Sequence, residues 1–84
     1  MNWIVYIAKS KTGFYYVGIT TNVDDRIQAH NFGKGSRMAK QQGPFYLVYK
    51  SNNYQNKSLA RKREAQIKKW SRLKKEKLIS GEWN

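Results

Sequence analysis

The longest unbroken apolar run, Trp3 to Ala8, is β-branched and aromatic throughout and predicts a strand over 3–8 buried on both faces. A turn at Lys11-Thr12-Gly13 leads to a second run, 14–18, which predicts the returning strand of a hairpin, ended by Gly18, where the missing side chain allows a backbone or ligand to approach closely. Thr21 and Asn22 are helix N-cap types, with Asp25 three residues after Asn22, so a helix is expected to start there with Val23 and Ile27 on its buried side. Arg26 and His30 lie one turn apart on an adjacent face and point to the same region. A glycine-punctuated loop, 31–36, matches no phosphate-binding fingerprint. A short helix over 36–41, capped by Ser36 and ended by Gly43-Pro44, precedes a third strand at 45–50. Ser58 is read as the cap of the longest helix, 59–70, with Leu59, Ala60, Ile67 and Trp70 turned inward. Ser71 caps a last helix over 72–79, with Leu73, Leu78 and Ile79 apolar and Leu73 needed for the core, and Gly81 ends it. Three strands with helices packed on them define a small α+β domain.

Size and composition narrow the function. At 84 residues the chain is expected to be one domain. It has no cysteine and a single histidine, which removes disulfide frameworks and zinc fingers or knuckles. No run approaches the ~20 residues that span a bilayer, and nothing resembles a secretory signal, so a cytoplasmic protein is expected. Seventeen Lys and Arg against five Asp and Glu give a formal charge of +12. Such an excess repels itself in a compact chain and points to a polyanionic partner, nucleic acid before an anionic membrane surface.

Ten of the cations fall between Lys57 and Lys77, opposed only by Glu64 and Glu76. Arg61, Lys62, Lys68 and Lys69 lie opposite the apolar stripe and form a solvated basic face. Glu64 is placed differently, at the border of stripe and basic face, where a carboxylate can look along the sheet. It also has Lys68 four residues on, the favoured orientation for an ordinary helix ion pair.

Two tyrosines ten residues apart, Tyr6 in Val5-Tyr6-Ile7 and Tyr16 in Tyr16-Val17-Gly18-Ile19-Thr20, suit paired strands that bring both hydroxyls to one site. Together with Asp25-Arg26, His30 and Leu59-Ala60-Arg61-Lys62-Arg63-Glu64, they resemble the GIY-YIG nuclease domain, and more closely its small single-domain bacterial branch. The resemblance runs from about Trp3 to Ile79 and implies a three-stranded antiparallel sheet, first strand central, flanked by helices. It implies a phosphodiester-cutting endonuclease, with Tyr6, Tyr16, Arg26, His30 and Glu64 catalytic and Glu64 holding one Mg²⁺ or Mn²⁺ ion. Relatives of this kind include homing and restriction endonucleases and a DNA-repair nuclease subunit.

In that chemistry Arg26 clamps a phosphate oxygen with its planar fork. A lone carboxylate holds magnesium weakly until substrate oxygens and waters complete the shell. Tyr6, Tyr16 and His30 are the alternatives for the base, the tyrosines with the basic surroundings expected to favour their phenolate form. Two positions depart from the pattern: the first motif reads Val-Tyr-Ile, and Ile19 stands where several active relatives carry lysine. A non-catalytic nucleic-acid-binding module on the same scaffold is therefore the alternative function. Lys34, Lys57, Arg61, Arg63, Lys68 and Arg72 are the expected nucleic-acid contacts. DNA is the expected substrate rather than RNA, bound by a monomer whose targeting comes from its basic helices or a protein partner.

Overall fold

The computed structural model describes residues 2–31 and 44–81. Strands β1 (Ile4–Ser10), β2 (Tyr15–Thr20) and β3 (Phe45–Lys50) form an antiparallel sheet in the order β2-β1-β3. Helices α1 (Val23–Asn31), α2 (Lys57–Lys68) and α3 (Arg72–Ile79) complete the described chain. The expected α+β class and the central first strand are both present. The loop after Asn31, the short helix over 36–41 and Lys34 lie outside the described residues.

The central strand is buried because helices cover both faces of the sheet. Val5, Tyr6, Ile7 and Ala8 are all without solvent exposure, and successive side chains point to opposite faces. Val5 and Ile7 join Val17, Ala60, Ile67 and Leu78 in one apolar cluster. Tyr6 and Ala8 join Val23 and Phe45 in a second, with Tyr16 and Ile27 against it. The register between β1 and β3 shifts between Ile7, opposite Tyr49, and Ala8, opposite Leu47, so that Val48 is the extra residue of a bulge.

Local chemistry sets the boundaries. Gly13 takes a φ of +94° in the hairpin turn, and the Ser10 hydroxyl accepts from the Phe14 amide at 2.9 Å, which carries β1 two residues past the expected end. Asn22 caps α1, its Oδ1 accepting from the Asp25 amide at 3.1 Å. At the other end of that helix, Asn31 donates to the Phe45 carbonyl and accepts from its amide at 3.0 and 2.7 Å, tying α1 to β3. Ser71 caps α3 by accepting from the Lys74 amide at 3.2 Å.

Three expectations need correcting. The cap of α2 is Asn56, whose Oδ1 accepts from the Leu59 amide at 3.0 Å, two residues before the expected cap at Ser58. Leu59, 44% exposed, sits about 100° around the helix from buried Ala60 and falls off the inward stripe. Leu73 is 64% exposed, because α3 turns Leu78 inward and five residues of helix separate the two by about 140°.

Candidate active site

Tyr6 and Gly18 face each other across the β1–β2 ladder, and that pairing builds the site. A β-carbon added at Gly18 would meet the Tyr6 hydroxyl at 2.7 Å and its ring carbons at 2.8 and 3.0 Å. The missing side chain therefore makes room for the Tyr6 ring, which crosses β2 in the space. Tyr16, opposite Ala8, lies beside it, the ring centroids 6.1 Å apart and the planes tilted by 35°. Phe45 closes the far side of Tyr16, edge-on at 6.4 Å. Both phenols thus project from one face of the sheet.

The first helix brings a cation to them. The Thr20 hydroxyl accepts from the Asn22 amide at 3.1 Å and fixes the step from β2 into α1, one turn ahead of Arg26. The Arg26 Nε then donates to the Tyr6 hydroxyl at 3.3 Å. Burial pushes the Tyr6 phenol up to about 12, although the Arg26 hydrogen bond pulls the other way. Taking a phenol out of water costs the anion more than one adjacent guanidinium returns. Basic surroundings were expected to favour a phenolate; at Tyr6, desolvation wins, and it stays protonated at neutral pH. Arg26 is held even more firmly charged, first by the Tyr6 hydroxyl and then by that of Tyr16, against partial burial.

Glu64 reaches the same place from α2. In an ideal helix it lies about 40° from Ala60 and 60° from Ile67, both fully buried, so its side chain emerges at the rim of the core, 20% exposed. Its carboxylate opens on a cleft of about 630 Å³ lined also by Tyr16, Gly18 and Arg26. The ion pair with Lys68 is present as well, at 3.6 Å. The cleft sits where β1 begins and β2 ends, with Trp3, Ile19, Thr20 and Thr21 on its walls and Lys57 and Arg61 at its α2 side.

The structure therefore gathers Tyr6, Tyr16, Arg26 and Glu64 from four elements, with Lys57 and Arg61 beside them. His30 is on α1, but its side chain lies outside the described residues. Arg63 and Arg72 are placed elsewhere. Arg63 lies over the Trp70 ring at 4.9 Å and donates to Gln66 at 2.6 Å. Arg72 lies over Tyr15 at 4.5 Å and donates to the Gly13 carbonyl at 2.7 Å. Both brace the fold. Sequence reading did not single out Trp3 as a wall of the cleft; its place just ahead of β1, level with the end of the antiparallel β2, was the available signal.

Among the described residues no three His, Cys, Asp or Glu side chains group as metal ligands. The donor set is one rim carboxylate in an open cleft, which fits a magnesium-type ion that keeps most of its waters. It does not fit a metal that needs a closed protein cage.

Tyr16, Arg26 and Glu64 thus share one cleft, and Tyr6 is tied to it through its hydrogen bond from Arg26. The model of the GIY-YIG catalytic domain matches residues 2–77, and the chain belongs to that family, a family of nucleases. It is similar to a UPF0213 protein of Staphylococcus haemolyticus, 47% identical over 75 residues, 89% of this chain and 90% of that protein. A UPF0213 protein of Photorhabdus laumondii is 39% identical over 77 residues, 92% of this chain and 73% of that one. The solution NMR structure of a UPF0213 protein from Bacillus halodurans superposes with a TM-score of 0.59 at 44% identity, covering 95% and 84% of the two chains. Among the described residues no helix is long and apolar enough to cross a membrane.

Proposed function

We propose that the protein is a divalent-metal-dependent endonuclease of the cytoplasm that hydrolyses phosphodiester bonds, in DNA rather than RNA. The observation that carries this reading is the Arg26 guanidinium bonded to the Tyr6 phenol in the cleft onto which the Glu64 carboxylate opens. Glu64 would hold one Mg²⁺ or Mn²⁺ ion. When bound, such an ion lowers the pKa of its water and offsets charge developing on the phosphate.

The chain's own groups do the rest. Arg26 has five N–H donors in a rigid fork, enough to serve both phenols and meet a phosphate oxygen in the cleft. Tyr6, protonated and buried, orients Arg26 and is not the proton acceptor. That task falls to Tyr16 or His30 as a water adds to phosphorus and the bond to the leaving oxygen breaks. Lys57 and Arg61 line the cleft and supply phosphate contacts on the α2 side, while Lys68 steadies Glu64.

The competing reading, a nucleic-acid-binding module without catalysis, draws on Ile19, which lines the cleft with an apolar side chain. The test is incubation with labelled single-stranded, flapped and branched DNA and with RNA, in Mg²⁺ or Mn²⁺. Cleavage that Glu64→Ala and Arg26→Ala both abolish, in variants that keep their circular dichroism, is expected. No cleavage of any substrate, or cleavage that survives either substitution, sinks the endonuclease in favour of the binding module.

A further inference from the structure

We infer that Trp3 is a stacking platform for an unpaired base, so that the cleft takes nucleic acid with a single-stranded nucleotide beside the cut. The inference rests on the nucleic-acid reading above and names its substrate class. Three observations carry it. Trp3 lines the same cleft as Glu64 and Arg26. Its backbone is pinned by two hydrogen bonds, its amide donating to the Tyr54 carbonyl at 2.9 Å and its carbonyl accepting from the Tyr54 amide at 2.7 Å, so the indole is held on a rigid base. The Lys57 ammonium lies over the ring at 5.1 Å from its centroid.

The lysine is the informative part. An ammonium on a partly solvated aromatic face is weakly held, whereas a nucleobase stacked on such a face is a stronger and sequence-tolerant contact. A base entering the cleft displaces Lys57 from the indole, and the freed amine meets the phosphate that the base carries. Arg61, one turn further along α2, also lines the cleft, and both residues continue onto an adjoining surface with Ser58 and Lys62. The basic track thus leads a strand's backbone away from the cleft along α2. A base paired in the interior of a duplex has both faces stacked already and cannot use the platform.

The measurement is binding without metal, in EDTA, of a short labelled single-stranded DNA and of its duplex. Trp3→Leu, which keeps an apolar side chain but no ring, is expected to weaken the single strand about tenfold and the duplex little, with Trp3→Phe recovering most of the loss. Equal losses on strand and duplex, or no loss on either, overturn the platform. A second reading uses the unaltered protein: a 2-aminopurine in the strand is expected to be quenched on binding, and unchanged fluorescence in a saturated complex overturns it too. Because no cleavage is measured, a chain that cuts nothing yet shows the Trp3-dependent preference keeps the platform and loses only the hydrolysis. Cleavage without that preference does the reverse.

Discussion

The two faces of the sheet start from the same strand and end in different chemistry. On one, Val5 and Ile7 meet Val17, Ala60, Ile67 and Leu78 in a closed cluster without a polar side chain among its buried members. On the other, Tyr6 and Ala8 meet Val23 and Phe45, and a fully buried phenol ends in a hydrogen bond from Arg26. The first face is held by area alone, which is tolerant of which residue supplies it. The second depends on one ring lying over one glycine, which is not. In a domain of only 84 residues the two phenols and Arg26 are thereby set apart from the closed cluster, Glu64 reaching them from its rim, and substitutions on the two faces are expected to fail in different ways.

The largest loss of stability belongs to the closed face. Ile67→Ala removes three carbons from a side chain with no exposure and leaves a cavity between α2 and the sheet, a loss of about 2–5 kcal/mol. In a domain of this size each kcal/mol moves Tm by roughly 4–8 °C. Urea unfolding checks it; in protein still folded, cleavage per molecule is expected to stay within a few-fold of the parent.

Alkaline titration probes the other face. Tyr6 titrates at about 12 in the fold against 10.0 for a free phenol, so its contribution is complete below pH 10 and is lost as pH rises through 12. The full loss is on the order of 2–3 kcal/mol. Tyr15 and Tyr49 are also raised, each by burial first, so the fall is read as a difference between the parent and Tyr6→Phe. The variant is expected to lose less stability between pH 9 and 12, and equal slopes would show that Tyr6 is not desolvated. Between pH 6 and 9 the shape of any activity profile is expected to survive Tyr6→Phe while its level drops, since a phenol protonated throughout that range cannot supply the titration.

Most of this division was legible in the sequence, and its failures have physical causes. The run Trp3 to Ala8 announced a strand buried on both sides, and β3 begins and ends where its aromatic run does. Helical spacing placed Glu64 at the edge of the stripe. Spacing could not rank the cations, because which arginine faces a cleft depends on where two helices dock: Arg63 and Arg72 spend their charge on Trp70 and Tyr15. Leu73 was misplaced for a related reason, since an eight-residue helix offers too few apolar positions to define a stripe. Gly18 was recognised as a close approach, but not the ring that approaches, which needed the register of β1 on β2.

That glycine gives the smallest stability change and the sharpest test of the comparison. Its φ is negative or extended, not among the positive-φ glycines, so alanine meets no backbone strain and the whole cost is steric. Tyr6 cannot yield cheaply: three of its atoms stand within 3.0 Å of the new methyl, the ring is fully buried, and its hydroxyl is held by Arg26. Overpacking of this kind costs about 1–3 kcal/mol. The ring is expected to shift away and break the Arg26 contact, so cleavage falls far more than stability does. In a Tyr6→Phe background the 2.7 Å contact disappears while those to the ring carbons at 2.8 and 3.0 Å remain. Gly18→Ala is therefore expected to cost less there, but not nothing. A double-mutant cycle from urea unfolding reads that coupling; strict additivity would mean that the glycine and the ring do not share the space, and the two faces would then differ in composition only.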